Sequence, residues 1–596
     1  MKSSRARFKA ALNECRKNED MIKRQKLLDN LNKKNFKGFW KEVAMIRNHD
    51  SNVAVAIDGI RDSNKVCEIF SDKYKKIFTI NSNVSDSNPV SLSNKKSGRY
   101  IDFTLSDIND GISQLRDGVG MDGIHSNHLK FCPSSYRCAI SELFSSFSRH
   151  NYISNNVLTG TITPTVKDRF GDLASSDNFR PVMSSSVFFR LFEYCLQKKI
   201  SPFVKLNDRQ HGFRSNYSTS TACFVLKETV LNYFGSNTDV HACFIDIKKA
   251  FDSVNHETLM NKLLSYGIPV EYVDIIRYMY ANQYVNVRFK SSFSSKWKIN
   301  RGVRQGGVLS GLLFNIYIDS LLSNISQMKQ GCKLGIHDAS VIAYADDIVL
   351  LAPSLGSLQE LLNTAVEEAS LLDLEFNWKK SKYMVFRHKR VNCRTNCSLR
   401  IGNNILEQVI TFKYLGFILS DRFSNIDDVT RVRNKFYADF NSLLRKFHFA
   451  SDNVKLILFK QFCIQFYGAE LWFYDNKYAL QQFAVGYHKA IKKLLGVSTH
   501  ESNHFVCQEA SLFTFEHLLN KLKLYFVMRL FNFPCSYIQK NLSFLMKSSV
   551  FVNEVCETFY DKYDIELLFE QDRDAVLSRI MYIQNHEMPM RGAWVS

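Results

Sequence analysis

The sequence lacks the features that mark membrane proteins, secreted proteins and common nucleotide-binding loops. Its most apolar stretch, VKLILFKQFCIQFYGAELWF, carries Lys455, Lys460 and Glu470 at helical spacing, which predicts an amphipathic core helix and not a membrane span. The stretch KSSRARFKAALNECRKNED after Met1 has no apolar run of the kind that a signal peptide needs. The sequence also contains no glycine-rich phosphate loop and no internal repeat. We therefore expect an intracellular protein without a membrane span.

The fourteen cysteines give no sign of a structural metal site. They are scattered, and no tight CxxC pair repeats along the chain as a zinc site would require. Cys393 and Cys397, in CRTNC, are spaced one residue wider than a usual zinc knuckle, so surface thiols are the simpler interpretation. HESNH, at residues 500–504, matches the HExxH pattern of zinc proteases, but its flanks predict a loop or a helix start. Reduced thiols explain the cysteines best.

Positive charge and aromatic side chains are what the sequence has in excess. The formal net charge is +20, the pI is near 9.2 and 13% of the 596 residues are aromatic. Such a chain favours a polyanionic partner, nucleic acid before membrane, although charge that only keeps the protein soluble stays open as an alternative. Residues 1–48 alternate charged and apolar positions with helical period. They predict long helices whose cationic face either contacts RNA or DNA or is simply solvated.

Composition divides the chain into four segments. Residues 1–79 predict a basic helical extension, and residues 80–99 include the Ser- and Asn-rich INSNVSDSNPVSLSNKKSG, which predicts a flexible linker. Residues 100–420 mix helices and short strands without a βαβ rhythm, which indicates an α+β fold. Residues 421–596 are mostly helical in pattern, so we expect a helical C-terminal region there.

Two adjacent carboxylates interrupt a hairpin pattern in VIAYADDIVLLAP, residues 341–353. The flanks are apolar and rich in β-formers, which predicts two paired strands with Asp346 and Asp347 at the turn. Adjacent carboxylates repel each other unless water or a cation screens them. The segment alone leaves two interpretations open. One is a solvated turn, and the other is a pair of oxygen ligands for Mg²⁺, which binds through one or two carboxylates and substrate phosphates.

A third carboxylate, Asp246, follows the strand pattern HACFIDI. If its strand neighbours the hairpin in one sheet, the three carboxylates could hold two divalent ions roughly 3.5–4 Å apart. One ion would lower the pKa of an attacking 3′-hydroxyl, and the other would neutralise a triphosphate and the leaving pyrophosphate. Between the acidic segments, RGVRQGGVLSGLLFNIYIDSLL places Gln305 beside Gly306 and Gly307. The two glycines either let the backbone approach a ligand closely or only form a flexible turn. The apolar run that follows them predicts a helix under the sheet.

Taken together, these segments resemble a reverse transcriptase of the non-LTR (LINE-type) retrotransposon class, closest to its jockey-like branches. Several motifs occur in the order and spacing of that class: SDNFRPVMSSSVFFRLFE, QHGFRSNYSTSTA, FIDIKKAFDSVNH, GVRQGGVLSGLLFNIYID, YADDIVLL, LEFNWKKSK and KYLGFIL. DGVGMDGIHSNHLK resembles its fingers extension, and VGYHKAIKKLLGVSTHESNHFVCQEA its C-terminal region. The resemblance implies a right-hand polymerase with an antiparallel-sheet palm, fingers, a core at about residues 147–419 and a helical thumb after about residue 420.

The resemblance also implies roles for the acidic residues and their neighbours. Asp246, Asp346 and Asp347 match the catalytic, metal-binding triad, and the Ile247 carbonyl completes one metal site. Phe251 matches the steric gate, whose ring would clash with a ribose 2′-hydroxyl and so select deoxynucleotides. The implied cofactor is Mg²⁺, as two ions, with Mn²⁺ as a substitute.

Other motif residues match positions around the incoming nucleotide. Gln305 and Gly306 match the segment that lies against it. Lys380, in NWKKSK, matches a lysine proposed to protonate pyrophosphate, and Arg180 and Lys167 match basic fingers positions near the triphosphate.

A final motif concerns the primer. YLGFIL, with Tyr414, Leu415 and Gly416, matches the strand pair that positions the primer end. The implied partners are therefore template RNA, a DNA primer or target and deoxynucleoside triphosphates, with no membrane, while the oligomeric state stays open. We expect a protein made in the cytoplasm that reaches the nucleus.

Two positions depart from the family pattern. Asn216 and Tyr217 stand where a Gly-Arg pair commonly follows QHGFR, and Gly311 stands where proline usually follows VLS. Neither position is a metal ligand, so the departures put template or nucleotide contacts in question rather than the chemistry.

Two alternatives to an active reverse transcriptase stay open. Such elements usually encode an endonuclease upstream, and here Met1 falls in what resembles the linker, so we expect a polymerase that lacks this domain. A truncated copy could be a catalytically silent or co-opted remnant that binds RNA or DNA, although all three carboxylates are intact. An intron maturase is the second alternative, and the GVRQGGVLS pattern favours the retroelement over it.

Overall fold

A computed structural model describes residues 56–79, 99–168, 171–388, 398–472 and 477–531, together with isolated residues elsewhere. The linker predicted at 80–99 lies outside these residues except for its last position, as do the two cysteines of CRTNC and almost all of the basic segment 1–48. The chain divides into two compact units, the larger built mainly from Val55–Asp427 and the smaller mainly from Asp428–Lys523.

Helices and strands alternate irregularly in the larger unit. Several helices begin at a polar side chain that accepts a hydrogen bond from the first turn, as Thr104 does in its capping box with Asp107. The α-helices are Ser63–Phe78, Leu105–Gln114, Ser126–Lys130, Ser134–His150, Asn155–Leu158, Val187–Ile200, Thr219–Gly235, His256–Ser265, Val270–Ala281, Ser310–Gln327 and Leu355–Leu371. Short 3-10 helices lie at Ser176–Asn178, Ser201–Phe203 and Ala250–Ser253.

The central sheet contains both strand patterns that carry acidic residues. Its five strands lie in the spatial order Glu407–Gln408, Lys382–Phe386, Val240–Ile245, Asp347–Ala352 and Val341–Tyr344. All neighbouring pairs are antiparallel except the first, which is parallel. The predicted hairpin and the predicted neighbourhood of the Asp246 strand are therefore confirmed. Helices Ser310–Gln327 and Leu355–Leu371 contact this sheet, as the apolar run after RQGG predicts for the first of them.

A second sheet belongs to the same unit and lies under helix Ser63–Phe78. The apolar face of this helix packs on the sheet through Val66, Phe70, Tyr74 and Phe78. The strands of the sheet are Phe179–Ser184, Gly160–Val166, Tyr284–Phe289, Ser292–Phe293 and Trp297–Lys298. Two-stranded hairpins pair Lys333–Leu334 with His337–Asp338, Arg400–Ile401 with Asn404–Ile405, and Thr411–Tyr414 with Phe417–Ser420.

The described chain after residue 420 is helical, as its sequence pattern predicts. Its α-helices are Ile426–Lys446, Asp452–Phe462, Lys477–Leu495, Asn503–Glu509 and Phe515–Phe531, and a 3-10 helix lies at Ala469–Leu471. The core helix predicted for VKLILFKQFCIQFYGAELWF is shorter than expected. It ends at Phe462, and Gly468 then takes a left-handed conformation with φ +92°, which glycine adopts without strain.

Two further expectations concern this region. His500 and Glu501 precede the helix Asn503–Glu509, so the HExxH residues do not share the helical face of a zinc protease, as expected. Among the described helices, none combines the length and the apolar character that crossing a bilayer requires.

Phe192 lies at the centre of the larger unit's core, with its ring centroid 5.5, 5.1 and 5.7 Å from those of Phe103, Phe144 and Phe147. We predict that Phe192→Ala lowers the free energy of unfolding by about 3–5 kcal/mol, because it leaves a cavity among fully packed rings. Urea denaturation of the full chain measures this change. The matched control is Phe131→Ala, whose ring is 83% exposed and whose loss should change stability by less than about 0.5 kcal/mol. Equal losses in the two variants would contradict the prediction.

Candidate active site

The three predicted carboxylates meet at one edge of the central sheet. Asp246 directly follows its strand, Asp346 lies in the hairpin turn and Asp347 opens the next strand. Ile348 pairs with Ile245, so the next step of the antiparallel register brings Asp347 opposite Asp246. All three carboxylates line one cavity of about 1140 Å³. The sheet thus joins acidic segments that are far apart in sequence.

The acidic turn has a strained backbone that a buried glutamine holds in place. Ala345 has φ +56°, in the left-handed region that costs energy for a residue with a side chain. The Oε1 atom of Gln210 accepts hydrogen bonds from the backbone N–H groups of Ala345, at 2.7 Å, and Gly212, at 2.8 Å. The His211 N–H donates to the Ala343 carbonyl at 2.7 Å. Gln210 was not predicted as a site residue, although the motif QHGFR contains it.

Electrostatic repulsion acts between the carboxylates. Burial, followed by the charges of Asp346 and Asp246, raises the pKa of Asp347 to about 6. The Asp347 side chain reaches the open cavity, yet protein surrounds it closely enough for desolvation to be the largest cause. Burial also raises the pKa of Asp346, and Asp246 adds to that rise. A cation placed among these groups would favour their charged forms.

The acidic edge is an open site, of the kind that binds hard divalent cations, and not a closed metal cage. Within the described residues, no three acidic, histidine or cysteine side chains already enclose a metal position. Mg²⁺ needs no such cage, because it is usually held by one or two carboxylates together with water and substrate phosphates. Crowded carboxylate oxygens beside an open cavity are the donor set that Mg²⁺ prefers. Ile247, whose carbonyl is the fourth predicted ligand, lines the same cavity.

Phe251 lies in the cavity wall and contacts two other rings. It stacks on Phe314 at a centroid distance of 4.5 Å and meets Phe213 edge-on at 5.8 Å. A Cβ atom at position 311 would lie only 2.4 Å from Cγ of Phe213, so glycine at that position leaves room for the ring. The departure from proline at Gly311 therefore has a physical reason in this chain.

The other departure also fits its surroundings. Asn216 has φ +68°, a left-handed conformation that asparagine tolerates better than most residues. Tyr217 packs edge-on against His211 at 5.3 Å and lies under the guanidinium of Arg214 at 4.0 Å. These contacts tie the segment after QHGFR to the residues that flank Gln210.

Gln305 and Gly306 lie in the same cavity wall. The Nε2 atom of Gln305 donates to Oδ1 of Asp252 at 2.7 Å. The backbone carbonyl of Gln305 accepts from the Met183 N–H at 2.9 Å. Gly306 has φ +107°, and a Cβ atom there would lie 2.9 Å from the Met183 carbonyl oxygen, so only glycine fits. Burial raises the pKa of Asp252 to about 7. Asp252, which sequence reasoning missed, thus fixes the Gln305 amide at the cavity.

Basic side chains from several segments line the cavity. The predicted residues Lys167, Arg180 and Lys380 are all present there, together with Lys73, Lys76 and Lys249, which sequence reasoning missed. Burial lowers the pKa of Lys167, and the charges of Lys73, Lys380 and Arg180 lower it further. The cations are therefore close enough to repel one another, which favours an anionic ligand among them.

The predicted primer-positioning hairpin lies beside the cavity and does not line it. Leu415 and Gly416 form its two-residue turn with φ +46° and +88°, as a type I′ hairpin requires. Tyr414 is buried and its ring lies 5.5 Å from that of Phe244, in the strand that leads to Asp246. Burial raises the pKa of Tyr414, and the charge of Asp347 contributes to this rise.

Comparison with known proteins finds a family match for the part of the chain that carries the three carboxylates. Residues 167–419 match the family described as reverse transcriptase (RNA-dependent DNA polymerase). The chain is 27% identical over 281 residues to the retrovirus-related Pol polyprotein from type-2 retrotransposable element R2DM of Drosophila melanogaster, covering 47% of this chain and 26% of that protein. It is 23% identical over 414 residues to the RNA-directed DNA polymerase from mobile element jockey of Drosophila funebris, covering 66% and 44%.

The chain spans less than half the length of each of these two relatives. Among solved structures, telomerase from Candida albicans with a TWJ fragment of telomeric RNA is similar over 76% of this chain and 69% of that chain, at 12% identity and a TM-score of 0.36. The family match shows that the chain carries a reverse transcriptase domain, of the kind found in non-LTR retrotransposon RNA-directed DNA polymerases. The predicted α+β right-hand polymerase fold is thereby confirmed.

Gly212 is packed directly against the acidic turn. A Cβ atom at this position would lie 2.3 Å from the Ala345 nitrogen and 3.0 Å from the Tyr344 carbonyl carbon, both backbone atoms. We predict that Gly212→Ala lowers the free energy of unfolding by about 1–3 kcal/mol, because overpacking must displace the turn. Urea denaturation measures the change. Gly356→Ala, in helix Leu355–Leu371 with nothing within 4 Å of the added atom, should be neutral or slightly stabilising. Unchanged stability in Gly212→Ala would show that the turn adapts.

Proposed function

We propose that this chain is an RNA-directed DNA polymerase, which copies RNA into DNA by two-metal nucleotidyl transfer. The observation that carries the proposal is the convergence of the predicted residues on one cavity. Its walls include the three carboxylates, the aromatic ring of Phe251, the Gln305–Gly306 segment and basic side chains. Phosphoryl transfer needs this combination, because catalysis consists mainly of positioning and charge neutralisation.

Asp246, Asp346, Asp347 and the Ile247 carbonyl would hold two Mg²⁺ ions, for which Mn²⁺ could substitute. When bound there, the ions supply charge neutralisation at the triphosphate and activation of the primer 3′-hydroxyl. The carboxylates orient the two reacting groups, because they lie on paired strands whose register fixes their separation. The acidic turn itself is held by Gln210, so this geometry is built before the substrate arrives.

The remaining cavity residues would bind and select the nucleotide. Lys167 and Arg180 would neutralise the triphosphate, and Lys380 would donate a proton to the leaving pyrophosphate. Phe251 contacts two other rings, Phe314 and Phe213, which would hold it in place against the sugar of the incoming nucleotide. Its fixed ring would exclude a ribose 2′-hydroxyl and admit a deoxyribose.

The nucleic acids would occupy the surface next to this cavity. The net charge of +20 supports binding of an RNA template and a DNA primer, with an affinity that falls as salt rises. The hairpin with Leu415 and Gly416 would position the primer end, since its strands lie beside the carboxylates through Tyr414.

We assign the thumb to the helices that begin with Ile426–Lys446. A chromosomal DNA primer would require the protein to reach the nucleus.

Asp346→Asn tests the proposed chemistry. We predict that primer extension on an RNA template with Mg²⁺ falls by about a thousandfold, because a metal-bound carboxylate contributes several kcal/mol to the transition state. RNA binding, measured by fluorescence anisotropy, should be unchanged. The matched control is Asp427→Asn, an exposed carboxylate outside the cavity, which should extend normally. If the folded wild-type chain binds RNA but does not extend a primer, the second candidate, a catalytically silent remnant, replaces the enzyme.

Phe251→Ala tests the selection of deoxynucleotides. We predict that the preference for deoxyribonucleotides over ribonucleotides falls by about tenfold or more, because a hydroxyl can then occupy the space of the ring. The ratio of kcat/KM for the two nucleotide types measures this preference. Phe293→Ala, at an exposed ring outside the cavity, should leave the ratio unchanged. A variant that extends with deoxynucleotides but keeps the wild-type preference would rule out Phe251 as the gate.

A further inference from the structure

Helix Ser63–Phe78 precedes the matched reverse transcriptase residues 167–419, yet it forms part of the cavity wall. Nothing in the sequence motifs of the domain includes this helix. The cavity residues that it supplies are Ile69, Asp72, Lys73, Tyr74, Lys76 and Ile77. The proposed nucleotide site is therefore larger than the matched domain, and the added wall contains charged side chains.

The position of this helix is fixed by tight packing. Its N-cap, Asp62, accepts a hydrogen bond from the Lys65 N–H at 2.9 Å. Phe70 meets the ring of Phe179 edge-on at 5.2 Å, and Tyr74 is fully buried in the same cluster. At the other end, the Phe78 carbonyl accepts from the Asn300 N–H at 3.1 Å. The helix that presents Lys73 is therefore held against the sheet beneath it at both ends and along its apolar face.

Lys73 places its ammonium group beside the predicted triphosphate contacts. Its Nζ donates to Oγ of Ser176 at 3.1 Å and forms an ion pair with Asp177. The Nζ of Lys167 donates to the backbone carbonyl of the same Asp177 at 2.8 Å. Lys73 and Lys167 thus both contact the short 3-10 helix Ser176–Asn178. The negative charge of Asp177 reduces the repulsion between the two lysines.

The ion pair between Lys73 and Asp177 is weak enough for Lys73 to exchange Asp177 for another anion. The Asp177 side chain is 90% exposed, whereas that of Lys73 is 23% exposed. An ion pair with so exposed a carboxylate is weak, because water solvates the carboxylate well without the lysine. A polyphosphate in the cavity offers several charged oxygens in a less solvated place, where a lysine acts as a compact point charge.

The next residue of the helix, Tyr74, buries a polar group beside Lys73. Within the part of the chain that the structure describes, its hydroxyl has no hydrogen-bond partner, although buried hydroxyls are almost always bonded. The charge of Asp252, which holds Gln305, reaches Tyr74 and raises its pKa together with burial. Because this hydroxyl is itself buried, Tyr74 supports the wall from within and does not offer a group to a ligand.

We propose that Lys73 is a further triphosphate-binding residue, which moves from Asp177 to the phosphates of the incoming nucleotide. The inference rests on the proposed function for its substrate class. Lys73 would act together with Lys167, Arg180 and Lys380, which line the same cavity, although it lies outside the matched residues 167–419. A template phosphate would present the same chemistry, and the geometry favours the triphosphate because the other three cations face the same cavity.

Lys73→Met in the full chain tests this proposal, since methionine keeps the length of the side chain and removes its charge. We expect KM for dTTP in single-nucleotide extension to rise about tenfold, as the loss of a charged hydrogen bond predicts, with kcat nearly unchanged. Lys73→Arg should restore most of the affinity. Lys65→Met, at an exposed lysine of the same helix outside the cavity, should match the wild type. The dissociation constant of the RNA–primer duplex should be equal in all four proteins.

A second measurement separates this inference from the proposed function. Equilibrium binding of dTTP with Mg²⁺, by calorimetry without primer or template, should also weaken about tenfold in Lys73→Met. If the wild type binds dTTP but does not extend a primer, the polymerase proposal fails while this comparison still decides the role of Lys73. Unchanged dTTP affinity overturns the inference. Weaker binding of the RNA–primer duplex with unchanged dTTP affinity would assign Lys73 to the template instead, and a wild type that neither extends a primer nor binds dTTP overturns both proposals.

Discussion

The antiparallel register between Val240–Ile245 and Asp347–Ala352 is the constraint on which the rest of the site depends. It brings Asp246 opposite Asp347, although like charges repel and nothing local favours their proximity. The register is set by burial, because Cys243, Ile245, Ile348 and Leu350 belong to one core, and a slip of one residue would turn them to the other face. Hydrophobic packing on one side of the sheet thus holds the carboxylates together at its edge.

Besides the repulsion between the carboxylates, backbone strain in the hairpin turn also opposes the geometry of the site. A left-handed Ala345 persists only if its surroundings determine it, and they do so through Gln210, which is fully buried. The loop that carries Gln210 comes from a segment more than a hundred residues upstream of the turn. The geometry of the carboxylates therefore depends on a polar contact between two segments, whereas the register depends on apolar ones. Burial of the amide makes this contact stronger than it would be in water.

The elements with a clear period could be predicted from the sequence, and the contacts between them could not. The hairpin at the acidic turn and the helix after RQGG follow from alternation and from an apolar run, because burial of one face imposes these patterns. Helix Ser63–Phe78 has an equally clear apolar face, yet nothing in its pattern indicates which sheet that face covers. Lys73 and Tyr74 consequently look like ordinary surface and core residues until the fold places them at the cavity. Asp252 likewise resembles a capping or surface carboxylate until its bond to Gln305 is visible.

The departure at Gly311 shows why a family pattern also underdetermines a site. Judged by the pattern, glycine in place of proline weakens the start of helix Ser310–Gln327, because the fixed φ of proline suits the first turn of a helix, whereas glycine is conformationally free. In the structure the missing side chain makes room for Phe213, whose edge contacts Phe251. A local loss in helix stability is therefore coupled to a gain in ring packing at the cavity wall. Because Phe314, from the same helix, stacks on Phe251, one helix influences both ring contacts of the proposed gate. The orientation of that ring is thus a property of helix packing, which no single motif residue specifies.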